Sequence, residues 1–82
     1  MKQSKLNNLD LHKTAYIAHI ELDKKTRLRL IELGFNKGTK ITPLYKSPLG
    51  DPTAYLVDNT VISLRKADAS LIFLNDTAEG VK

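Results

Sequence analysis

The sequence predicts a mainly β protein: a small five-stranded barrel with one short α-helix between the first two strands. The chain has 82 residues, which is enough for one domain and too few for two. Five short runs rich in strand-forming residues alternate with tight turn signals, and one further run has helical spacing. Five strands at this spacing close most simply into a small barrel, and an open α+β sheet with the helix on one face is the alternative.

The first predicted strand covers residues 14–22, which are rich in β-branched and aromatic side chains. Ile17 and Ile20 are three positions apart, so strict alternation would place them on opposite faces. The spacing therefore predicts either a bulge or a strand that is partly covered on both faces. Residues 1–9 are expected to form a flexible lead-in, with Leu6, Leu9 and Leu11 able to pack onto the barrel edge.

A short helix is predicted from residue 24 to about residue 33. Asp23 is a typical N-cap residue, because its carboxylate can accept a hydrogen bond from a backbone N–H of the first turn. Leu30 and Leu33 lie on one side of the predicted helix. Gly34 follows at the position where a helix commonly ends in a left-handed residue.

The remaining predicted strands are four short segments, joined by turns that contain proline, glycine and asparagine. They cover residues 39–46, 53–57, 61–65 and 70–74. Pro43 cannot donate a ladder hydrogen bond, so its strand should lie at an edge or bulge there. The domain is expected to span residues 10–75, with a fraying tail at residues 76–82. The predicted core consists of Ile17, Ile20, Leu30, Leu33, Ile41, Leu56, Ile62, Leu64, Ile72 and Leu74.

Positive charge is concentrated in the middle of the chain. Residues 24–46 carry seven basic residues and one acid, a net charge of +6, whereas residues 1–23 are neutral and residues 47–82 carry −2. Such a stretch can steer an acidic partner, or it can be an ordinary solvated face. The chain has no cysteine, no signal-peptide pattern and no apolar run of about 20 residues. We therefore expect a cytoplasmic protein that is not inserted in a membrane.

The sequence favours no catalytic or metal chemistry. Phosphate-binding glycine loops, serine elbows and paired zinc-binding histidines are all missing, so we expect no catalytic residue and no cofactor. The two histidines, His12 and His19, are seven positions apart, a spacing that matches no compact metal motif even with Asp10 and Glu21 added. We expect His19 to be an ordinary half-exposed strand residue, and we assign no metal ligand.

Three segments carry a family resemblance in order and spacing. Residues 29–38, RLIELGFNKG, resemble the R-L-x-x-L-G-x-x-x-G signature of the ferrous iron transport protein A (FeoA) family. Residues 48–52, PLGDP, resemble that family's loop, and residues 62–69, ISLRKADA, resemble its I-A-L-R-x-x-x-A segment. With the closing strand at residues 71–74, the resemblance covers roughly residues 8–75.

The resemblance implies an SH3-like barrel and a cytoplasmic role as accessory to a membrane ferrous iron transporter that has its own GTP-binding domain. Two positions depart from the family pattern. Lys37 stands where the family often has proline, and Asp58-Asn59 stands where it often has glycine. Both departures are compatible with the same turns, and the first leaves the partner of the surface around Lys37 open.

Protein binding is the function that the residues favour. Leu49 lies at the tip of a proline-braced loop, where it would lose little entropy on docking, or it folds back onto the core as part of a well-made turn. Basic residues beside this loop would meet an acidic surface of the partner. A basic binding module for nucleic acid or another soluble protein is the alternative, although no stacking platform is evident and nucleic acid is not expected. An unpaired edge strand could also form a weak homodimer. The candidate partner-binding residues are Lys24, Arg27, Arg29, Lys37, Lys40, Pro48, Leu49, Gly50 and Asp51.

Overall fold

The structure is a computed structural model, and it describes residues 4–75 of the chain. The predicted tail at residues 76–82 lies outside the described residues. The elements follow in the order β1 (Ser4–Lys5), a 3-10 turn (Leu6–Asn8), β2 (Ala15–Ile20), α1 (Lys24–Glu32), β3 (Lys40–Lys46), β4 (Thr53–Val57), β5 (Thr60–Leu64), α2 (Lys66–Ala69) and β6 (Ile72–Asn75).

The strands form one antiparallel sheet in the order β1-β6-β2-β3-β4-β5. The mainly β class is therefore confirmed, but the closed five-stranded barrel is wrong. Six strands are present in residues 4–75, and β1 and β5 are the two edges of the sheet. The helix α1 also lies between the second and third strands, because the N-terminal segment supplies a strand ahead of it. That strand has two residues, which are too few to show an alternating pattern.

The N-terminal segment belongs to the folded unit from Ser4 onward. Ser4 pairs with Leu74 and Lys5 pairs with Phe73, and Leu6 is fully buried in the core. Leu9 packs against the core, whereas Leu11 is exposed and does not pack there as expected. The unit that the structure describes therefore starts before residue 10, the boundary that the sequence suggested.

Both predicted irregularities of the strands are present. The register of β2 against β6 shifts between Ile17 and His19, which brings Ile17 into the core and leaves Ile20 partly buried. The register of β3 against β4 shifts between Pro43 and Tyr45. Because β3 is an interior strand, Pro43 is tolerated there by the bulge and not by an edge position.

The helix α1 begins and ends as the local sequence indicates. Asp23 Oδ2 accepts a hydrogen bond of 3.1 Å from the Thr26 N–H. At the other end, the Phe35 N–H donates to the Leu30 carbonyl at 2.9 Å and the Gly34 N–H donates to the Ile31 carbonyl at 3.0 Å. These bonds form a Schellman motif, in which Gly34 has φ +108° and the buried Phe35 packs at the end of the helix.

Two of the predicted core residues are exposed. Leu33 is 44% exposed because the chain turns at the C-cap and Phe35 takes the inner position beside Leu30. Leu56 is 38% exposed because it alternates with the buried Tyr55 and Val57 on β4. Ile20 and Ile62 are partly buried, and the other six are buried as predicted. The large core residues that the sequence reasoning missed are Leu6, Leu22, Phe35, Tyr55 and Val57.

Candidate functional site

The loop at residues 47–52 joins β3 to β4 and is held by its own hydrogen bonds. The Gly50 N–H donates to the Ser47 carbonyl at 2.8 Å, and the Ser47 N–H donates to the Pro52 carbonyl at 3.0 Å. The Ser47 hydroxyl donates to the Asp51 carbonyl at 2.7 Å. Proline at the second position of this four-residue turn and glycine at the fourth fit the preferences of a type I turn. The sequence 47–52 thus produces a loop with a defined shape.

Leu49 lies at the tip of this loop and is 94% exposed. Of the two arrangements considered for it, the structure has the exposed one, and the side chain does not fold back onto the core. Pro48 and Gly50 beside it are exposed as well. An apolar side chain held in solvent on a rigid turn is preorganised to enter a pocket of another protein.

Asp51 ties the loop to the start of α2. Its Oδ1 accepts a hydrogen bond of 2.7 Å from the Lys66 N–H, one of the backbone donors that the first turn of a helix leaves without an intrahelical partner. Tyr55 lies buried on β4 close behind the loop. Burial raises its pKa, a side-chain hydrogen bond with Thr53 opposes that rise, and the Asp51 carboxylate adds to it.

The basic candidate residues lie on α1 and at the start of β3. Lys24 opens the helix, Arg29 lies in its last turn, and Arg27 is half-buried on it. Lys37 lies in the turn after the helix, and Lys40 is the exposed first residue of β3. All of them are positioned by α1 and by the connection from α1 into the sheet.

The structure places Lys37 and Lys40 far from the 47–52 loop. Lys40 and Lys46 stand at opposite ends of β3, a span of roughly 20 Å at the usual rise of an extended strand. The loop follows Lys46, whereas Gly34, which follows the C-cap of α1, approaches Asp58 at the other end of β4. The expectation that these lysines lie beside Leu49 is therefore wrong. Lys37 and Lys40 are close to the 47–52 loop in sequence, but the extended strand β3 separates them from the loop in space.

A cleft of about 490 Å³ lies on the outer face of the sheet beside Lys40. Thr14, just before β2, faces Thr42 on β3, and their hydroxyl oxygens are 2.8 Å apart. The lining residues are Thr14, Thr39, Lys40, Thr42, Leu56, Asp58 and Asn59. The sequence does not reveal this cleft, because it predicts Leu56 in the core. The successive apolar residues of β4 do not show which side chains face the core, so no local signal separates Leu56 from Tyr55 and Val57.

The histidines do not form a metal centre with neighbouring side chains in the structure. His19 Nε2 is 3.0 Å from Glu21 Oε2, and the His19 ring stacks on Phe73 with centroids 4.7 Å apart. The His19 side chain is about half-exposed, as a strand residue of this kind is expected to be. Within residues 4–75, no three His, Cys, Asp or Glu side chains are grouped as a metal site requires. No helix in that range is long and apolar enough to cross a membrane.

A family model and a relative of known name both relate this chain to the same protein family. The family model of the FeoA domain matches residues 4–76. The Fe(2+) transport protein A/Fe(2+) transporter FeoB fusion protein of Porphyromonas gingivalis is 35% identical over 68 residues. Those residues are 83% of this chain but 8% of the fusion protein, so the chain spans a small part of that relative.

Two solved structures share the fold at similar identity. The FeoA protein of Chlorobium tepidum is 28% identical with a TM-score of 0.83, over 87% of this chain and 68% of that one. The zinc-complexed FeoA of Stenotrophomonas maltophilia, described as a prokaryotic SH3 domain protein, is 29% identical with a TM-score of 0.76, over 88% of this chain and 89% of that one. With its SH3-like fold and with relatives named for ferrous iron transport, this chain belongs to the FeoA family.

Proposed function

We propose that this chain is a cytoplasmic accessory protein of ferrous iron uptake, which binds the intracellular part of a GTP-binding membrane iron transporter and modulates it. The observation that carries this proposal is the Porphyromonas gingivalis relative, in which transport protein A and the transporter FeoB are one polypeptide. Covalent linkage raises the effective concentration of one part at the other, an arrangement that suits two parts that bind each other.

The 47–52 loop is the surface proposed to make the apolar contact. Leu49 is almost fully exposed, and the hydrogen bonds of Ser47 and Gly50 hold its backbone before any partner arrives. Binding therefore orders little chain, and burial of the leucine contributes directly to affinity. A partner with an apolar pocket for one leucine fits this surface.

The basic residues of α1 and the start of β3 are proposed to guide the approach of an acidic partner. Lys37 and Lys40 lie at a distance from Leu49, so a single small contact does not include them together with the loop. Exposed rim charges mainly change the association rate and its salt dependence. Reversal of Arg29 and Lys40 to glutamate is expected to slow association and flatten its salt dependence, with a smaller effect on dissociation.

Modulation requires that the protein prefers one state of the transporter. A binder with equal affinity for the GTP-bound and GDP-bound states shifts neither of them, whatever its affinity. The proposal therefore predicts different dissociation constants in the two nucleotide states.

The test is an NMR titration of the labelled protein with the transporter's cytoplasmic domain, with GTP analogue, with GDP and without nucleotide. The expected result is a set of shifts at residues 47–52 whose titration midpoint depends on the nucleotide. Absence of shifts with this domain and with the full-length transporter would overturn the proposal. Salt-dependent binding to arbitrary oligonucleotides instead would favour the nucleic-acid alternative.

Two matched leucine variants separate docking from folding. Leu49→Asp is expected to weaken binding at least tenfold while changing the unfolding free energy by no more than about 0.5 kcal/mol, because the side chain is already in solvent. Leu11→Asp introduces the same charge at another exposed leucine and should leave binding unchanged. If Leu49→Asp binds as well as the parent protein, the loop is not the contact.

A further inference from the structure

The edge strand β5 carries none of the features that usually prevent an edge from pairing with another chain. Among the described strands it pairs with β4 alone. Its five residues, Thr60–Leu64, include no charge and no proline, and three of them are β-branched. Proteins normally protect such edges with lysine, proline, bulges or a covering element. An uncharged, bulge-free edge of this length can accept another strand.

The turn before β5 fixes which of its backbone groups point outward. Val57 pairs with Thr60 across a two-residue turn, and both turn residues, Asp58 and Asn59, have positive φ, as a type I′ hairpin requires. The Thr60 N–H therefore points to β4, and the direction alternates along the strand. The N–H and C=O groups of Val61 and Ser63 consequently point away from β4.

The charges that flank β5 make this edge complementary to itself. Exposed Asp58 lies just before the strand, and exposed Arg65 and Lys66 lie just after it. When two copies of β5 pair in an antiparallel direction, the acidic end of each copy meets the basic end of the other. We infer that β5 is a homodimerisation edge, at which two copies of this chain join their sheets about a two-fold axis.

The side-chain faces select the register of this pairing. Residues that lie directly opposite each other must point to the same face of the sheet. Val61 faces outward with Leu56, whereas Ile62 lies opposite buried Tyr55. Among the registers that satisfy this condition, the one with Ile62 on the two-fold axis pairs all five residues. Val61 then lies opposite Ser63 of the second copy, and the two partly exposed Ile62 side chains meet.

This register brings together the groups that the monomer leaves in solvent. Val61 and Ser63 of each copy exchange backbone hydrogen bonds with Ser63 and Val61 of the other, giving four bonds in the dimer. Val61 is 54% exposed in the monomer. In the dimer it lies diagonally across from Val61 of the second copy. The contact is short, so the dimer is weak and forms at high protein concentration.

The direct test is sedimentation equilibrium of the full chain from about 10 μM to about 1 mM, the range in which weak association is measurable. The parent protein is expected to show a monomer–dimer equilibrium. Ser63→Pro removes an N–H that points away from β4, so the internal ladder keeps its bonds. The dimer loses two hydrogen bonds, and association should weaken about tenfold or more. Ser63→Ala keeps the N–H and should dimerise like the parent.

A second pair of variants keeps the test decisive if proline disturbs the fold. Val61→Lys places a charge on an exposed outward position and should abolish the dimer. Lys66→Glu sets its carboxylate against Asp58 of the other copy and should weaken association, and the addition of Asp58→Asn should restore part of it. Asparagine tolerates the positive φ at this position.

Amide hydrogen exchange gives a readout at single residues. Protection of the Val61 and Ser63 amides should rise with protein concentration, while the Ile62 amide, bonded within the monomer, should not change. The inference is overturned if the parent protein remains monomeric at about 1 mM. It is also overturned if Ser63→Pro and Val61→Lys both associate as tightly as the parent.

Discussion

The Asp51 carboxylate has a structural role that is independent of any partner. It is half-buried and accepts a hydrogen bond of 2.7 Å from the Lys66 N–H. This bond holds the 47–52 loop against the start of α2. We therefore expect Asp51 to contribute to partner binding mainly by fixing the loop that carries Leu49. Direct contact between Asp51 and the partner is expected to contribute less.

Asp51→Ala is expected to destabilise the protein by about 1–2 kcal/mol, because the Lys66 N–H loses its acceptor. Asp51→Asn keeps a side-chain oxygen at the same place and should recover most of the loss. Urea denaturation of the three proteins measures the difference. Equal stability of the alanine and asparagine variants would mean that the hydrogen bond contributes nothing measurable.

At the residue scale, the sequence identified Leu49 but misplaced Leu56. The prolines and glycine around Leu49 are local signals, and they predict a stiff turn without knowledge of the rest of the fold. The direction of Leu56 depends on which face of β4 meets the core. Tyr55 and Val57 decide that face, and the sequence pattern of three successive apolar residues does not distinguish them from Leu56.

Among the elements, α1 is the one whose two ends were predictable from residues close in sequence. Asp23 and Gly34 act within four positions of the backbone groups that they satisfy. The strand β1 is the opposite case. Its two residues gain a strand conformation by pairing with Leu74 and Phe73, about 70 positions away. Long-range pairing of this kind leaves no periodicity in a short segment.

Gly34→Ala should destabilise the protein by about 1–3 kcal/mol, because φ is +108° and a side chain there is strained. A Cβ at this position would also lie 3.4 Å from the Asp58 Cβ. Gly50→Ala is a matched control with φ +89° and nothing within 4 Å of the added atom. Chemical denaturation should show the larger loss for Gly34→Ala. Equal losses would mean that the contact with Asp58 is relieved at no cost.

The N-cap of α1 predicts a pH dependence. The backbone hydrogen bond from Thr26 lowers the pKa of the Asp23 carboxyl from its usual 3.8. A carboxyl whose pKa is lower in the folded state stabilises the fold above the unfolded pKa, and this contribution is lost as the pH falls through the folded pKa. Its contribution should therefore be complete above about pH 5, begin to fall near the unfolded pKa of about 4, and be gone once the pH is below the folded pKa.

Asp23→Asn isolates this effect, since asparagine also caps a helix but does not titrate. Thermal unfolding midpoints of the two proteins, measured from neutral pH downward, should show the parent at least as stable as the variant above about pH 4. Below that value the parent should lose stability relative to the variant. Parallel curves over the whole range would contradict the assignment of the shift to the cap.

At the scale of the whole molecule, the sheet has two unlike edges. The β1 edge is two residues long, whereas the β5 edge has five uncharged residues. The 47–52 loop lies at one end of β3, and the basic residues Lys37 and Lys40 lie at the other. The C-terminal end of β5 lies beside the 47–52 loop, because Thr53 pairs with Leu64 and Asp51 accepts a hydrogen bond from the Lys66 N–H. A partner at the loop and a second copy at β5 therefore use neighbouring surfaces. Leu49→Asp should act mainly on transporter binding and Ser63→Pro mainly on dimerisation.

The N-terminal segment also contributes to the whole molecule, since Leu6 completes the core from outside the part of the chain with clear strand patterns. Leu6 is 0% exposed and belongs to the same buried cluster as Ile17 and Leu74. Leu6→Ala should cost roughly 2–5 kcal/mol, because it removes buried methyl groups and leaves a cavity. Leu11→Ala, at an exposed position of the same segment, should cost far less. Urea unfolding of both variants decides the point. Equal, small losses would mean that residues before β2 add little to the core, and that the folded unit starts near residue 10 as the sequence pattern suggested.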